Sequence, residues 1–319
     1  MNIIETHALS RVYGKRRAVD NLDMCVAAGE IYGFVGKNGA GKSTAMKMIA
    51  GLVRPTSGSV ELFGAQRRAR EGFSRVGALI EDPGILPTFS ALENLMCKAL
   101  ALGVVRPNAH CRELLELVGL ADTGSLRVKK FSLGMKQRLG LALALVGGPD
   151  LLLLDEPFNG LDPESTRAMR GALVRLNRER GVTMVISSHV LDQLDRMATS
   201  FGVIRSGRMV RELSMDDLHR ECGNSIRIRT NDPARTLAIL EESLPGTALR
   251  AEPDGSILAS AAVRHATTSF GGAAVAPMAP SAEDVARALS EHGLLILELS
   301  HVERDIEEYF VELMGGADA

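Results

Sequence analysis

The sequence has no hydrophobic run long enough to cross a bilayer as a helix. Such a helix needs roughly 18 consecutive apolar residues, and the longest candidate, Leu139 to Leu154, is interrupted by the polar and helix-breaking segment Gly147 to Asp150. The first residues, Met1 to Glu5, also lack the basic region and apolar segment of a secretion signal. We therefore expect a chain that does not cross a membrane by itself.

The sequence also lacks an excess of charge of either sign. Lys and Arg number 37 against 39 Asp and Glu, for a net charge of −2, so the general electrostatic attraction of a basic protein to nucleic acid is absent. All of the lysines lie before residue 220, and residues 220–319 are acidic. This asymmetry predicts two units, of which the first is basic enough to accept an anionic ligand.

Cysteine is scarce and scattered. The four cysteines, Cys25, Cys97, Cys111 and Cys222, include no C-x-x-C pair and have no histidine at metal-ligand spacing. We interpret them as reduced structural residues of a cytosolic protein, with a zinc site as the less favoured alternative.

The first 210 residues alternate short apolar runs with amphipathic stretches, which is typical of a sheet flanked by helices. The clearest predicted strands are Glu30 to Val35, Leu151 to Asp155 and Val182 to Ser187, and the clearest helices are Leu133 to Val146 and Pro163 to Arg180. Helical patterns between about residues 86 and 146 predict a helical subdomain inserted into this α/β unit, which we place at residues 1–219.

A second unit is predicted at residues 223–319. Its order of elements is strand 225–229, helix 233–243, strand 247–251, strand 256–260, helix 281–292, strand 294–299 and helix 303–314. This β-α-β-β-α-β order predicts a small α+β domain of the ferredoxin-like type. The Gly-, Ala- and Pro-rich stretch 271–280 is predicted to be a loop. In the last helix, Ile306, Phe310 and Leu313 form an apolar face that either packs on the sheet of this domain, which we favour, or contacts a partner.

A phosphate-binding loop follows the first predicted strand. The motif G-x-x-x-x-G-K-[ST] is formed by Gly36, Lys37, Asn38, Gly39, Ala40, Gly41, Lys42 and Ser43, and Thr44 begins the next helical run. Glycines let successive N–H groups curl around phosphate oxygens, and the helix N-terminus adds its positive dipole end. Lys42 then reaches the β- and γ-phosphates, and the Ser43 hydroxyl binds Mg²⁺. A chance match is disfavoured because a strand precedes the loop and a helix follows it.

Two acidic residues end the apolar strand Leu151 to Asp155. Because side chains alternate along a strand, Asp155 and Glu156 cannot serve the same partner. We expect Asp155 to complete the Mg²⁺ site of the P-loop and Glu156 to polarise a water for in-line attack on the γ-phosphate. A solvated acidic strand end is the alternative, and the P-loop disfavours it.

With these motifs the chain resembles the ATP-binding-cassette (ABC) ATPases over nearly all of residues 1–219. Tyr13, with Val19 beside it, occupies the place of the family's adenine-stacking aromatic. Further family motifs follow in order: the signature segment Phe131 to Arg138, Asp162 of the D-loop, and the switch histidine His189. The resemblance implies a P-loop cassette that binds ATP with Mg²⁺, in which His189 and Glu156 orient the attacking water.

The resemblance also implies a dimer of cassettes. In this family the signature closes over the ATP held by the other cassette, a role that falls here on Ser132, Gly134, Lys136 and Gln137. Leu133 and Met135 depart from the usual signature, but the phosphate-facing Ser132 and Gly134 remain. The pairing is with a second copy or with a different cassette.

The position of the family's Q-loop glutamine is occupied by Glu81. A carboxylate can still bind Mg²⁺ and accept from water, but it cannot donate a hydrogen bond, and its charge near the γ-phosphate is expected to slow or gate hydrolysis. Glu81, the signature and the C-terminal appendage together resemble the exporters of bacitracin and lantibiotic peptides.

We therefore expect a motor subunit that hydrolyses ATP to drive separate membrane-spanning permease subunits, at the cytoplasmic face of the membrane, and exports peptide antibiotics or drugs. No nucleic acid partner is expected. Two alternatives stay open: a non-transport ABC protein acting on ribosomes or DNA, and a weakly hydrolysing nucleotide-dependent regulator.

Overall fold

The computed structural model describes residues 1–66, 75–222, 225–261, 280–302 and 305–315. The chain divides into two compact units, Met1–Glu212 and Leu213–Ala319. Within the described residues, no helix is both long enough and apolar enough to span a membrane.

The first unit contains two sheets and the helices around them. Its strands are β1 (Asn2–Tyr13), β2 (Arg16–Ala27), β3 (Ile31–Val35), β4 (Ser57–Leu62), β5 (Ala65–Gln66), β6 (Val76–Leu79), β7 (Leu151–Asp155), β8 (Thr183–Ser188), β9 (Ser200–Arg205) and β10 (Arg208–Ser214). Its helices are α1 (Lys42–Ile49), α2 (Ala91–Ala101), α3 (Pro107–Leu117), α4 (Leu133–Leu145) and α5 (Pro163–Arg180).

The larger sheet has the order β10-β9-β3-β8-β7-β6, and β3, β6, β7, β8 and β9 pair in parallel. Every residue of β3 and β8 is buried, as expected of central strands covered on both faces. Val35 pairs with Ser188, and Asp155 pairs with Ser187. The carboxyl ends of β3, β7 and β8 therefore meet at one edge, where the P-loop, Glu156 and His189 follow.

The smaller sheet is antiparallel, with the order β2-β1-β4-β5. Helix α1 shares one apolar core with both sheets: Met46 and Ile49 of the helix are buried in the same cluster as Ile4 of β1 and Phe34 of β3. Full burial of a side chain of this size stabilises a fold by about 1.5–3 kcal/mol. This shared core fixes α1, and with it the P-loop, against the strands.

Helices α2, α3 and α4 pack on one another within the range expected for a helical subdomain. Helix α2 begins with a capping box in which Ser90 and Glu93 exchange side-chain and backbone hydrogen bonds. Helix α5 spans its predicted range, with Asp162 as N-cap and Gly181 in the left-handed region at its C-terminus.

The second unit contains α6 (Met215–Cys222), β11 (Ser225–Thr230), α7 (Pro233–Ser243), β12 (Thr247–Ala251), β13 (Ile257–Ala261), α8 (Ala282–Glu291), β14 (Ile296–Val302) and α9 (Ile306–Leu313). Its antiparallel sheet has the order β12-β13-β11-β14. Helices α7 and α8 pack together, α7 against β11 and β12 and α8 against β14. The predicted β-α-β-β-α-β order is therefore confirmed for β11 to β14. The predicted loop 271–280 lies outside the described residues except for Pro280.

The division of the chain falls at Glu212, earlier than the expected end at residue 219, because the sequence analysis missed α6. This helix begins with a reciprocal hydrogen-bonded pair, Ser214 and Asp217, and it packs against α9 of the same unit. Phe310 and Leu313 of the last helix are buried as expected, whereas Ile306 is half-buried. Helix α9 neighbours α6 and also contacts the sheet that we favoured from the sequence, since Nη1 of Arg250 on β12 lies 3.9 Å from carboxylate oxygens of Glu308 and Glu312. The predicted start of this helix, residues 303–304, lies outside the described residues.

Candidate nucleotide site

The P-loop connects β3 to α1 in the predicted strand–loop–helix arrangement. Gly39 and Gly41 adopt φ angles of 80° and 113°, in the left-handed region that favours glycine. A Cβ atom at Gly41 would lie 2.5 Å from the carbonyl oxygen of Ala18, and one at Gly36 would lie 2.5 Å from that of Ile204. Both glycines therefore let the loop pack against neighbouring backbone.

The first turn of α1 has no side-chain cap. The first N–H groups of a helix have no partner within the helix, and the dipole makes that end attractive to anions. Because no side chain caps this turn, its amides are available to phosphate oxygens.

A cavity of about 430 Å³ opens beside the loop, within the usual range for small-molecule sites. Its wall is formed by Tyr13, Arg16, Ala18, Asn38, Gly39, Ala40, Gly41, Lys42, Ser43, Thr44 and Glu156. The phosphate-binding residues thus line one cavity with the aromatic residue expected to stack on adenine. Gly36 and Lys37, at the start of the motif, are not part of this wall.

Tyr13 is 45% exposed, and the guanidinium of Arg11 lies 4.5 Å from the centre of its ring. The expected role of Val19 beside it is not supported, because Val19 is completely buried in the core. Successive side chains of a strand point to opposite faces, so Ala18, and not Val19, contributes to the cavity wall.

Lys42 is buried, at 5% exposure, and its Nζ donates a hydrogen bond to the carbonyl oxygen of Gly36 at 2.6 Å. The same Nζ lies 3.2 Å from Oε1 of Glu156. The other carboxylate oxygen of Glu156, Oε2, lies 2.8 Å from Nδ1 of His189. The structure therefore joins Lys42, Glu156 and His189 in one hydrogen-bonded and ion-paired group, which we call the Glu156 group.

The hydroxyl of Ser187 on β8 contacts both acidic residues. It donates to Oδ1 of Asp155 at 2.6 Å and accepts from the backbone N–H of Glu156 at 2.9 Å. Glu156 itself has a φ of 48°, a strained conformation for a non-glycine residue. The sequence analysis missed Ser187, although its place at the end of a strand paired with β7 could have indicated it.

Glu81 lies outside the Glu156 group and is not part of the cavity wall. Its φ is 63°, its side chain is 64% exposed, and Oε1 pairs with Nζ of Lys47 on α1 at 2.5 Å. The carboxylate therefore pairs with an α1 lysine that the sequence analysis did not single out, and its expected role in binding Mg²⁺ stays a prediction.

The signature residues lie at the start of α4. Ser132 is the N-cap, and its hydroxyl accepts from the backbone N–H of Met135 at 3.2 Å. Gly134 is buried so closely that an added Cβ would lie 2.7 Å from Oγ of Ser165. Lys136 and Gln137 are half-buried, and none of these four signature residues lines the described cavity.

Asp162 of the D-loop also has a local structural role. Its carboxylate accepts from the N–H and the hydroxyl of Ser165, both at 2.8 Å. The backbone hydrogen bond from Ser165 is the main cause that lowers the pKa of Asp162, and the hydroxyl adds to it. Asp162 therefore anchors α5, the helix that Gly134 approaches.

These features define a P-loop ATPase: a loop for phosphate, a buried lysine, and a carboxylate with a histidine partner. The ABC transporter family model matches residues 19–159. The bacitracin transport ATP-binding protein of Bacillus licheniformis is 36% identical over 316 residues, 98% of each chain. The lantibiotic transport ATP-binding protein of Streptococcus pyogenes is 39% identical over 214 residues, 67% of this chain and 92% of that protein.

Solved structures agree with this assignment. An ATP-binding subunit of an ABC transporter matches at 29% identity with a TM-score of 0.61, covering 68% of this chain and 92% of that one. A dimeric ATP-binding cassette with ADP and phosphate matches in fold, at 22% identity and a TM-score of 0.61, covering 66% of this chain and 98% of that one. This chain belongs to the ATP-binding proteins of ABC transporters. It is an ATPase that binds nucleotide.

Proposed function

We propose that this chain is the motor subunit of an exporter of peptide antibiotics or related drugs, and that it acts on separate membrane-spanning permease subunits. The ATPase part of the proposal rests on the Glu156 group beside the P-loop. The cargo part rests on similarity to the bacitracin relative along 98% of both chains, which includes the second unit.

Hydrolysis begins with a change of partner for Lys42. The phosphates of ATP bring several negative oxygens to the P-loop, and they compete with Glu156 for the Lys42 ammonium, which lies 3.2 Å from Oε1. Glu156 then keeps His189 as a neighbour and is free to accept a proton from water. Positioning and electrostatics supply most of the catalysis of phosphoryl transfer.

Mg²⁺ fits the oxygen donors at this edge of the sheet. Ser43 of α1 lines the cavity, and Asp155 at the end of β7 accepts a hydrogen bond from Ser187. Helix α1 and strand β7 thus supply a hydroxyl and a carboxylate, both ligand types that Mg²⁺ accepts. Ser43 and Asp155 would hold the ion, which would supply positive charge to offset the negative charge of the phosphates.

The active form that we propose is a pair of cassettes, either two copies or this chain with a related one. The signature residues Ser132 and Gly134 lie at the start of α4 and outside the cavity of their own chain. A helix N-terminus stabilises phosphate, so this end of α4 is suited to cover ATP held by the partner. The helical subdomain and the exposed Glu81 are the proposed contacts with the permease.

Glu81 is proposed to tune hydrolysis. A glutamine at this position would lose the ion pair with Lys47 and gain an amide donor. We expect Glu81→Gln to change the ATPase rate or its coupling to transport, as measured with the permease present. Identical rates together with unchanged transport would contradict this role.

The test of the whole proposal is a pull-down of tagged Glu156→Gln from detergent-solubilised cells in the presence of Mg-ATP. This substitution retains nucleotide while slowing its hydrolysis, so the closed complex persists. We expect recovery of a membrane protein with several spans. The matched control is the double variant Lys42→Ala/Glu156→Gln, which cannot hold the phosphates and is expected to lose that partner. Recovery of ribosomes or DNA-bound proteins without a membrane subunit would overturn the transport function.

A further inference from the structure

The antiparallel sheet carries two carboxylates and an imidazole within reach of one ion. Glu5 and His7 lie on β1, and Glu61 lies on β4. One ligand atom from each residue can be chosen so that all three lie within 4.8 Å of one another. Nε2 of His7 lies 3.8 Å from Oε1 of Glu61.

Strand pairing places these three side chains together. Ile4 and Thr6, the neighbours of Glu5 in β1, are buried at 0% and 2% exposure, so Glu5 and His7 lie on the opposite, outward face. Glu5 is paired directly with Glu61 across β1 and β4. The group therefore depends on the register of the sheet and not on a chance approach of long side chains.

This arrangement is unfavourable without a cation. Like charges directly opposite each other destabilise a pair of strands. In the described part of the chain, neither Glu5 nor Glu61 forms an ion pair with a lysine or an arginine. Glu5 instead accepts a hydrogen bond from the side-chain amide of Asn2 at 3.0 Å, which orients its carboxylate.

We propose that Glu5, His7 and Glu61 form a binding site for a divalent transition-metal ion of the zinc class. Zn²⁺ is bound in proteins by imidazole nitrogen together with carboxylate oxygen, whereas Mg²⁺ and Ca²⁺ prefer oxygen alone. Asn2 acts as the outer partner that orients one ligand, as is common in metal sites. None of the three ligands lines the nucleotide cavity, so the site is separate from that of ATP.

The experiment is a titration of the nucleotide-free full chain, purified without a polyhistidine tag, with Zn²⁺ by calorimetry. We expect one ion per chain. His7→Ala and Glu61→Gln should each weaken binding by at least about tenfold, since even loss of an outer partner has an effect of this size. Co²⁺ in place of Zn²⁺ should give a visible absorption spectrum that His7→Ala removes.

Matched controls come from exposed residues elsewhere in the chain. His301→Ala and Glu113→Gln change the same residue types at exposed positions and should leave Zn²⁺ binding unchanged. Thermal unfolding separates folding from binding: Glu61→Gln removes the opposed charges and should unfold at a higher temperature than the metal-free wild type, but Zn²⁺ should no longer raise that temperature. No binding by the wild type, or equal binding by the His7 and Glu61 variants, would overturn the site.

Discussion

The carboxylate of Glu156 contacts two side chains, and ATP must displace one of them. Lys42 contacts one carboxylate oxygen and His189 contacts the other. The proposed general base is therefore ion-paired until the phosphates of ATP attract Lys42. Glu156→Gln removes the charge that competes for Lys42. We expect this variant to bind ATP at least as tightly as the wild type and to lose about 10²–10⁴-fold in turnover, the usual contribution of a general base.

The measurement combines the affinity for a fluorescent ATP analogue with the ATPase rate. Lys42→Ala serves as the comparison, because it should lose binding as well as turnover. The proposed competition would be wrong if Glu156→Gln weakened ATP binding as much as Lys42→Ala does.

The carboxyl of Glu212 should make the stability of the fold depend on pH. Burial raises its pKa, and its Oε1 accepts hydrogen bonds from the phenol of Tyr32 and from the backbone N–H of Cys25. A carboxyl whose pKa is raised by folding stabilises the fold fully at pH values below its ordinary pKa, and it loses that contribution as pH rises through the folded pKa. Glu212→Gln keeps an acceptor oxygen but removes the charge.

The variant should therefore be more stable than the wild type at neutral pH, and the difference should shrink as pH falls through the raised pKa of Glu212 and become constant below the ordinary glutamate pKa. Urea unfolding at several pH values measures it. Tyr32→Phe is the control: it keeps the charge but removes a donor, and is expected to cost about 1–3 kcal/mol. A difference between Glu212→Gln and wild type that is independent of pH would contradict the assignment.

At the residue scale, the sequence predicted which residues belong to the site better than it predicted which side chains contact one another. Lys42, Glu156 and His189 could be named from motifs, and the structure brings them together. Val19 was wrong as a cavity residue because the pairing of β2 decides which of two adjacent side chains enters the core. Ser187 was missed although its place at a strand end could have indicated it, whereas Lys47 could not be named because its role depends on a contact with Glu81, 34 residues further along the chain.

Packing between elements predicts that a Gly→Ala substitution has opposite effects on stability at Gly77 and at Gly171. Gly77 of β6 lies where α4 crosses the sheet, and a Cβ there would lie 2.4 Å from the carbonyl oxygen of Ala144 and 2.7 Å from Leu152. Gly171 is inside α5, with nothing within 4 Å of an added Cβ. Gly77→Ala should destabilise the fold by about 1–3 kcal/mol through overpacking, whereas Gly171→Ala should stabilise it by about 0.5–1 kcal/mol.

Chemical unfolding of the two variants and the wild type checks this pair. Equal signs for the two changes would contradict the packing of α4 on the edge strand.

The elements themselves were largely predictable. Helices α5 and α7 span the expected residues, and β3, β7, β8 and β11 differ from expectation by at most one residue at either end, because Pro at the helix starts and β-branched or Leu-rich runs in the strands are local signals. Helix α6 was missed because it is short and its stability depends on packing against α9, which is more than eighty residues away in the chain.

At the scale of the whole molecule, the residues of the nucleotide site belong to one unit. Every residue of the cavity wall, together with Asp155 and His189, precedes Leu213, where the second unit begins. The Streptococcus relative supports the independence of this part, since 214 matched residues account for 92% of its length. A relative of that size has no room for a unit like Leu213–Ala319.

A shortened chain that ends at Ser214, and so keeps β10 whole, should therefore bind ATP with unchanged affinity. Binding of a fluorescent nucleotide by the purified fragment and by the full chain measures this, with Lys42→Ala in both lengths as the control for nonspecific signal. Loss of binding by a folded fragment would mean that the second unit supports the site.

If the shortened chain bound ATP but no longer supported export in cells, the second unit would act at a step other than nucleotide binding. The site would then be complete without it, and the acidic unit would act after nucleotide binding, in pairing the cassettes or in contacting the permease. Buried Tyr309, Phe310 and Leu313 make α9 itself a poor contact surface, since α6 already packs against this helix. The exposed leucines Leu295, just before β14, and Leu297, within it, are the better positions to substitute when that contact is sought.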